Sequence, residues 1–164
     1  MLDESSEKYL PVALYLKGLR SPFLWPSAPF AECLRQAADF FDLPLNVKAR
    51  HKQTIGEATA NLIPDGSTLF ISIGSTPLSV AQALRRRKGM TVITNNLSAA
   101  MALSEEVSNR IILPGGEVRL PDRDILGNEV LDFFGRFRAD FAIFGAAGIA
   151  DDGGLLEFHT TEVR

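Results

Sequence analysis

A chain of 164 residues that is 46% hydrophobic can bury a core of its own, and one soluble domain with an attached arm is expected. The net charge of −3 argues against a surface built to neutralise nucleic-acid phosphates, so no direct DNA binding by this chain is expected. The single cysteine, Cys33, excludes an intramolecular disulfide and suits a reducing cytoplasm, while the acidic start "MLDESSEKYL" and the lack of a long apolar run suggest neither a secretory signal nor a membrane partner.

Residues 1–47 read as an N-terminal arm. They hold most of the prolines and the only tryptophan, Trp25. Pro22, Pro26 and Pro29 prevent "RSPFLWPSAPF" from forming one regular helix. "AECLRQAADFF" has apolar residues at helical spacing and predicts a short helix. The arm is apolar enough to need a surface, either on its own domain or on a second subunit.

Residues 48–164 alternate between two periodicities. "QTIGEATANLI" predicts a helix that ends at Pro64-Asp65-Gly66. "TLFISI" is a nearly unbroken apolar run, as in a strand buried on both faces. "PLSVAQALRRR" follows as a helix, with Pro77 in its first turn and Ser75 or Thr76 as cap. "MTVIT" is a second strand, "LSAAMALS" a helix, "RIILP" a third strand, "NEVLDFFGRF" a helix and "DFAIFG" a fourth strand. This order predicts an α/β fold with a parallel sheet between helical layers.

In open parallel sheets, ligands lie beyond the carboxyl ends of the strands. Those ends here are Gly74-Ser75-Thr76, Thr94-Asn95-Asn96, Gly115-Gly116 and the glycine-rich loop that starts at Gly145. Glycine lets a backbone approach a ligand, and a helix N-terminus favours an anion. Gly74-Ser75-Thr76 therefore reads either as a phosphate or carboxylate cradle or as a turn that only caps its helix.

"IGEATANLIPDGSTLFISIGSTP", "TVITNNLSAA", "IILPGGEVR", "ILGNEVLDFF" and "ADFAIFGAAGIADDGGLLE" together resemble the C-terminal effector domain of DeoR-type bacterial transcriptional regulators, from about Lys48 to Arg164. The resemblance implies a fold like ribose-5-phosphate isomerase and related sugar-phosphate enzymes. It also implies oligomers, and binding of a phosphorylated sugar or related metabolite that alters DNA binding by a separate domain. The family's ligand loop reads Asp-x-Gly-Thr-Thr or close to it. Here Ser72 takes the acidic position, while Gly74, Ser75 and Thr76 keep the glycine and hydroxyls. Thr94, Asn95 and Asn96 match the family's Thr-Asn segment, and Gly115 and Gly116 its double glycine. Asp124 and Gly127 fall in its polar, glycine-containing loop, and Gly145 ends the last strand.

The chain also departs from the family. Its first 47 residues are too rich in proline and too poor in basic residues to supply the family's winged helix-turn-helix. It stops at "TTEVR", where the family continues through a further helix and strand. The expectation is a fragment, a truncated product or a remodelled relative, whose unfinished sheet edge is covered by the arm or by a neighbouring subunit.

Other residues read plainly. Arg85-Arg86-Arg87-Lys88 suits a helix C-terminus and solvent. His51 and His159 have no partner at metal-ligand spacing, and Asp151-Asp152-Gly153-Gly154 lacks the rest of a calcium loop, so no metal or cofactor is expected. Three functions stay open. One is an effector-sensing domain without its own DNA-binding module. The second is a sugar-phosphate isomerase or deaminase, disfavoured because Ser72 removes a candidate base and Lys88 is the only lysine after Lys52. The third is an interaction module that pairs with a full-length regulator.

Overall fold

The computed structural model describes residues 13–17, 45–120, 122–145, 148–149 and 155–156. In chain order the elements are β1 (Ala13–Lys17), α1 (Leu45–Asn61), β2 (Thr68–Ile71), α2 (Ser75–Ala83), β3 (Thr91–Thr94), α3 (Leu97–Leu103) and β4 (Arg110–Ile112). Then come β5 (Val118–Arg119), β6 (Asp124–Ile125), α4 (Asn128–Gly135), β7 (Phe141–Gly145), β8 (Gly148–Ile149) and β9 (Leu155–Leu156). The short helix expected over 31–41, the acidic turn at 151–154 and His159 lie outside the described residues.

The main sheet runs β1-β7-β2-β3-β4. All four strands expected from apolar runs are present as β2, β3, β4 and β7, and they pair in parallel. The α/β expectation therefore holds. Leu69 and Ile71 point to one face and meet Val80 and Leu84 of the α2 region and Leu103 of α3, all fully buried. Each such aliphatic side chain contributes about 1.5–3 kcal/mol by leaving water. Phe70 points to the opposite face and meets the ring of Phe134 on α4 edge-on, with centroids 5.3 Å apart. Helices thus cover both faces. The reversal of face follows from topology. The chain steps outward from β2 to β3 to β4, then returns to the other side of β2 as β7, so a crossover of constant hand puts its helix on the other side.

One strand of the main sheet was not expected. β1, from the arm, pairs antiparallel with β7 from Ala13↔Gly145 to Lys17↔Phe141. The sheet edge beyond β7 is thus covered by the arm, one of the two coverings expected from the sequence.

α1 differs from its expected span of 53–63. It starts at Leu45 and ends at Asn61. Its apolar pattern begins only at Ile55, because the half-buried positions of its earlier turns include Lys48 and Lys52. Two members of the basic run after α2 are engaged locally. Arg85 pairs with Glu105, and Arg87 donates to the Ala60 carbonyl at 3.1 Å. No helix among the described residues is long and apolar enough to cross a membrane. No group of three metal-ligating side chains occurs among them.

Candidate functional site

The sheet reverses its strand order between β2 and β7, and in doubly wound sheets the crevice at such a point receives the ligand. The last bond joining the two strands runs from the Ser72 amide to the Ile143 carbonyl, at 2.8 Å. Beyond it the chains part, one toward α2 and the other past Gly145. A Cβ on either Gly74 or Gly145 would lie 3.5 Å from Cδ of Pro77. Both glycines therefore flank the first turn of α2.

The cap of α2 differs from the expectation. Neither Ser75 nor Thr76 caps it; both lie within its first turn. Gly74 holds the cap position at φ 109° and ψ 161°, and no side chain caps the helix. The physical reason is that φ, which a residue with a Cβ rarely adopts. With no side-chain cap and with Pro77 lacking an N–H, the amides of Ser75 and Thr76 are first-turn donors without an intrahelical acceptor. The φ of Gly74 also means that a substitution there strains the backbone, so Gly74→Val cannot serve as a clean binding variant.

Sequence reasoning missed Lys52. Its Nζ donates to Oγ of Ser75 at 2.7 Å, which brings an ammonium to the open end of α2. Burial, and secondarily the neighbouring charge of Lys48, lowers its pKa below the usual lysine value. An anion at the α2 terminus would favour the charge that this setting disfavours. The recurrence Lys48, Lys52, Gly56, Ala60 is the only signal in the sequence, and it reads as a face only once α1 is packed.

The end of β3 is built differently. Thr94 is buried; its hydroxyl donates to the Ile71 carbonyl at 2.6 Å and accepts from the Asn96 amide at 3.0 Å. Asn96 caps α3 by accepting from the Ala99 amide at 3.0 Å, and its Nδ2 donates to the Ser72 carbonyl at 3.3 Å. These two side chains hold the β2 and β3 loops in register. Asn95 is only 4% exposed, and its Nδ2 donates to the Ile125 carbonyl at 2.9 Å. Its Oδ1 is buried without a partner. Turning the amide over would set two acceptors against each other, so the orientation is fixed. Of this triplet, Asn95 alone presents an unpartnered acceptor.

The β5–β6 hairpin abuts this edge. The Ile125 amide donates to the Asn95 carbonyl at 3.0 Å, and Asp124 bridges Asn96. Asp124 is fully buried, with both carboxylate oxygens held by Arg119 at 3.0 and 2.7 Å. Arg119 was a second residue missed. Gly116 backs the hairpin, since a Cβ there would come within 3.1 Å of Ile125 Cγ2, whereas Gly115 is open. Gly127 caps α4 at φ 132°, with the Glu129 carboxylate folded over it. The structure thus gathers Ser72, Gly74, Ser75, Thr76, Thr94, Asn95, Asn96, Asp124 and Gly145 along one sheet edge.

A shallow groove of about 860 Å³ lies at the opposite, amino end of the strands, lined by Pro64, Asp65, Arg87 and Asp140 among others. Several of its polar groups are engaged within the fold. Asp140 accepts from the Thr68 amide at 2.8 Å, and Arg87 stands 3.8 Å from Asp65.

Comparison with known proteins agrees with the fold. Residues 47–164 match the family model of the DeoR C-terminal sensor domain. The chain is 48% identical over 117 residues to the glycerol-3-phosphate regulon repressor of Escherichia coli (strain K12), covering 71% of this chain and 46% of that protein. It is 38% identical over 117 residues to the HTH-type transcriptional repressor CsqR of the same organism, covering 71% and 45%. It is 30% identical over 109 residues to the HTH-type transcriptional repressor GlcR of Bacillus subtilis (strain 168), covering 66% and 42%. The chain spans a little under half the length of these relatives, which are transcriptional repressors rather than enzymes. By the extent of the match, the chain belongs to the DeoR family of transcriptional regulators and carries that family's C-terminal, effector-sensing domain.

Proposed function

We propose that this domain senses a small phosphorylated polyol or sugar. The phosphate sits on the amides of Ser75 and Thr76 and accepts from the Thr76 hydroxyl, and a ligand hydroxyl donates to Oδ1 of Asn95. The observation that carries this reading is the uncapped start of α2 with the Lys52 ammonium beside it. The unpartnered Asn95 acceptor favours a ligand rich in hydroxyl donors. Similarity to glycerol-3-phosphate regulon repressors makes glycerol 3-phosphate the first compound to test. The acidic balance and the locally paired arginines support a chain that binds no DNA by itself and that self-associates through its remaining apolar surface.

Calorimetric titration with glycerol 3-phosphate and a panel of sugar phosphates tests the reading. The wild type should bind at least one of them. Thr76→Ala should bind it about ten- to a hundredfold more weakly, the loss of a charge-assisted hydrogen bond of about 1.5–3 kcal/mol. Equal affinities in two folded proteins would move the site elsewhere. No binding across the panel would favour the interaction module.

A further inference from the structure

We propose that the outer face of α4 is the surface on which two copies of this chain pair, antiparallel about a two-fold axis that passes close to Phe134. This rests on the reading of the chain as one that self-associates.

The helix is amphipathic, but its apolar arc is wider than the sheet covers. Val130 is its one fully buried residue. Phe134 meets Phe70 of β2 edge-on, and Phe133 meets Phe134 and Phe137 with centroids 5.5 and 5.2 Å apart. Those three rings are only half-buried, whereas Leu69 and Ile71 on the other face of β2 are wholly buried. Leu131, three residues before Phe134 and its neighbour on the helix surface, is 53% exposed. An apolar path thus runs from the sheet through Phe134 to Leu131 and ends in water.

The helical repeat puts Leu131, Asp132, Gly135 and Arg136 together on the face turned away from the sheet, and all four are exposed. A Cβ on Gly135 would meet nothing within 4 Å, so the helix surface is low there and open to a close neighbour. Asp132 and Arg136, one turn apart, form no ion pair among the described residues. They lie on one flank of the face, and Leu131 and Gly135 on the other.

That arrangement is self-complementary. In an antiparallel pair about a two-fold axis, residues on the same flank of the two helices meet, and each contact occurs twice. Asp132 then faces the partner's Arg136, and Leu131 seats over the partner's Gly135. A parallel pair would instead set acid on acid and base on base. The charges fix direction and register, and the leucines supply the apolar contact. A helix of this length spans about 12 Å, so the contact is a small one, and a dissociation constant on the order of 10 μM is expected.

Sedimentation equilibrium of the full chain tests this. The wild type should show a monomer–dimer equilibrium. Asp132→Arg and Arg136→Asp should each weaken it about tenfold or more, because each reversal acts twice across the axis. An equimolar mixture of the two variants should associate again, since one copy then carries two bases and the other two acids. The double variant D132R/R136D should also regain the homodimer, which separates a lost contact from a lost fold. Leu131→Gln should weaken association without lowering the melting temperature. A wild type that stays monomeric at about 100 μM, ten times the expected constant, would overturn this inference and the self-association reading together. A dimer unaltered by either charge reversal would overturn this inference alone and place the interface elsewhere. Weakened single variants that neither the mixture nor the double variant restores would overturn the antiparallel pairing.

Discussion

Gly56→Val should destabilise the domain by about 3 kcal/mol or more, and Gly56→Ala by a smaller amount of the same sign. Alanine normally stabilises a helix interior by about 1 kcal/mol over glycine. Here the sign reverses because of what the new carbon meets. A Cβ on Gly56 would stand 2.6 Å from the Ser79 carbonyl oxygen and 2.8 Å from its carbon. Both atoms are backbone, so no rotamer change relieves the contact and the helices must separate. Separation also draws Lys52 away from Ser75, so affinity for the phosphate ligand should fall with stability. Urea unfolding of the two variants measures the effect as a lower midpoint at an unchanged slope. A Gly56→Ala protein more stable than the wild type would show that α1 and α2 do not touch backbone to backbone.

The second large effect is expected at Asp124. Its carboxylate is fully buried and both oxygens are held by Arg119, whose side chain is 33% exposed and also stands 3.2 Å from Asp122. Asp124→Ala should cost about 2–3 kcal/mol, short of the loss for a wholly buried pair because water and Asp122 still reach the arginine. The loss should spread. Asp124 bridges Asn96, and Ile125 holds the Asn95 amide, so a loosened hairpin frees the acceptor assigned to the ligand hydroxyl. A double-mutant cycle of Asp124→Ala and Arg119→Ala, read by thermal unfolding, should give a coupling above about 1 kcal/mol. Additive losses would mean that the two residues act independently.

The parts legible in the sequence are those with a local cause. "TLFISI", "MTVIT" and "DFAIFG" read as strands because both faces of a parallel sheet are buried, which leaves unbroken apolar runs. The glycines and hydroxyls at the strand ends lie toward one edge of the sheet because the strands that carry them run parallel. What stayed hidden depends on distant partners. Lys52 reaches Ser75 only because α1 packs beside α2, and a lysine on an inner face interrupts the hydrophobic pattern that would have extended the helix. Asp124 read only as part of a polar, glycine-containing loop, and the hairpin that sets Arg119 across from it has no local signal. Ser75 and Thr76 looked like caps because hydroxyls usually are. The φ of Gly74 displaced them into the helix, and no propensity shows that.

The pairing of β1 with β7 bears on the order in which the chain folds. β2, β3 and β4 join through crossovers of ordinary length and can assemble early. β7 must then cross back to β2, and β1 has nothing to pair with until it does. Strand β1 therefore closes the longest loop in the molecule and is the last element to add. Weakening it should leave the refolding rate almost unchanged and speed unfolding, as for a contact absent from the transition state. Stopped-flow refolding and unfolding of a Leu14→Pro variant measures this, since proline removes a backbone donor from that strand. A slowed refolding limb would place β1 in the nucleus instead.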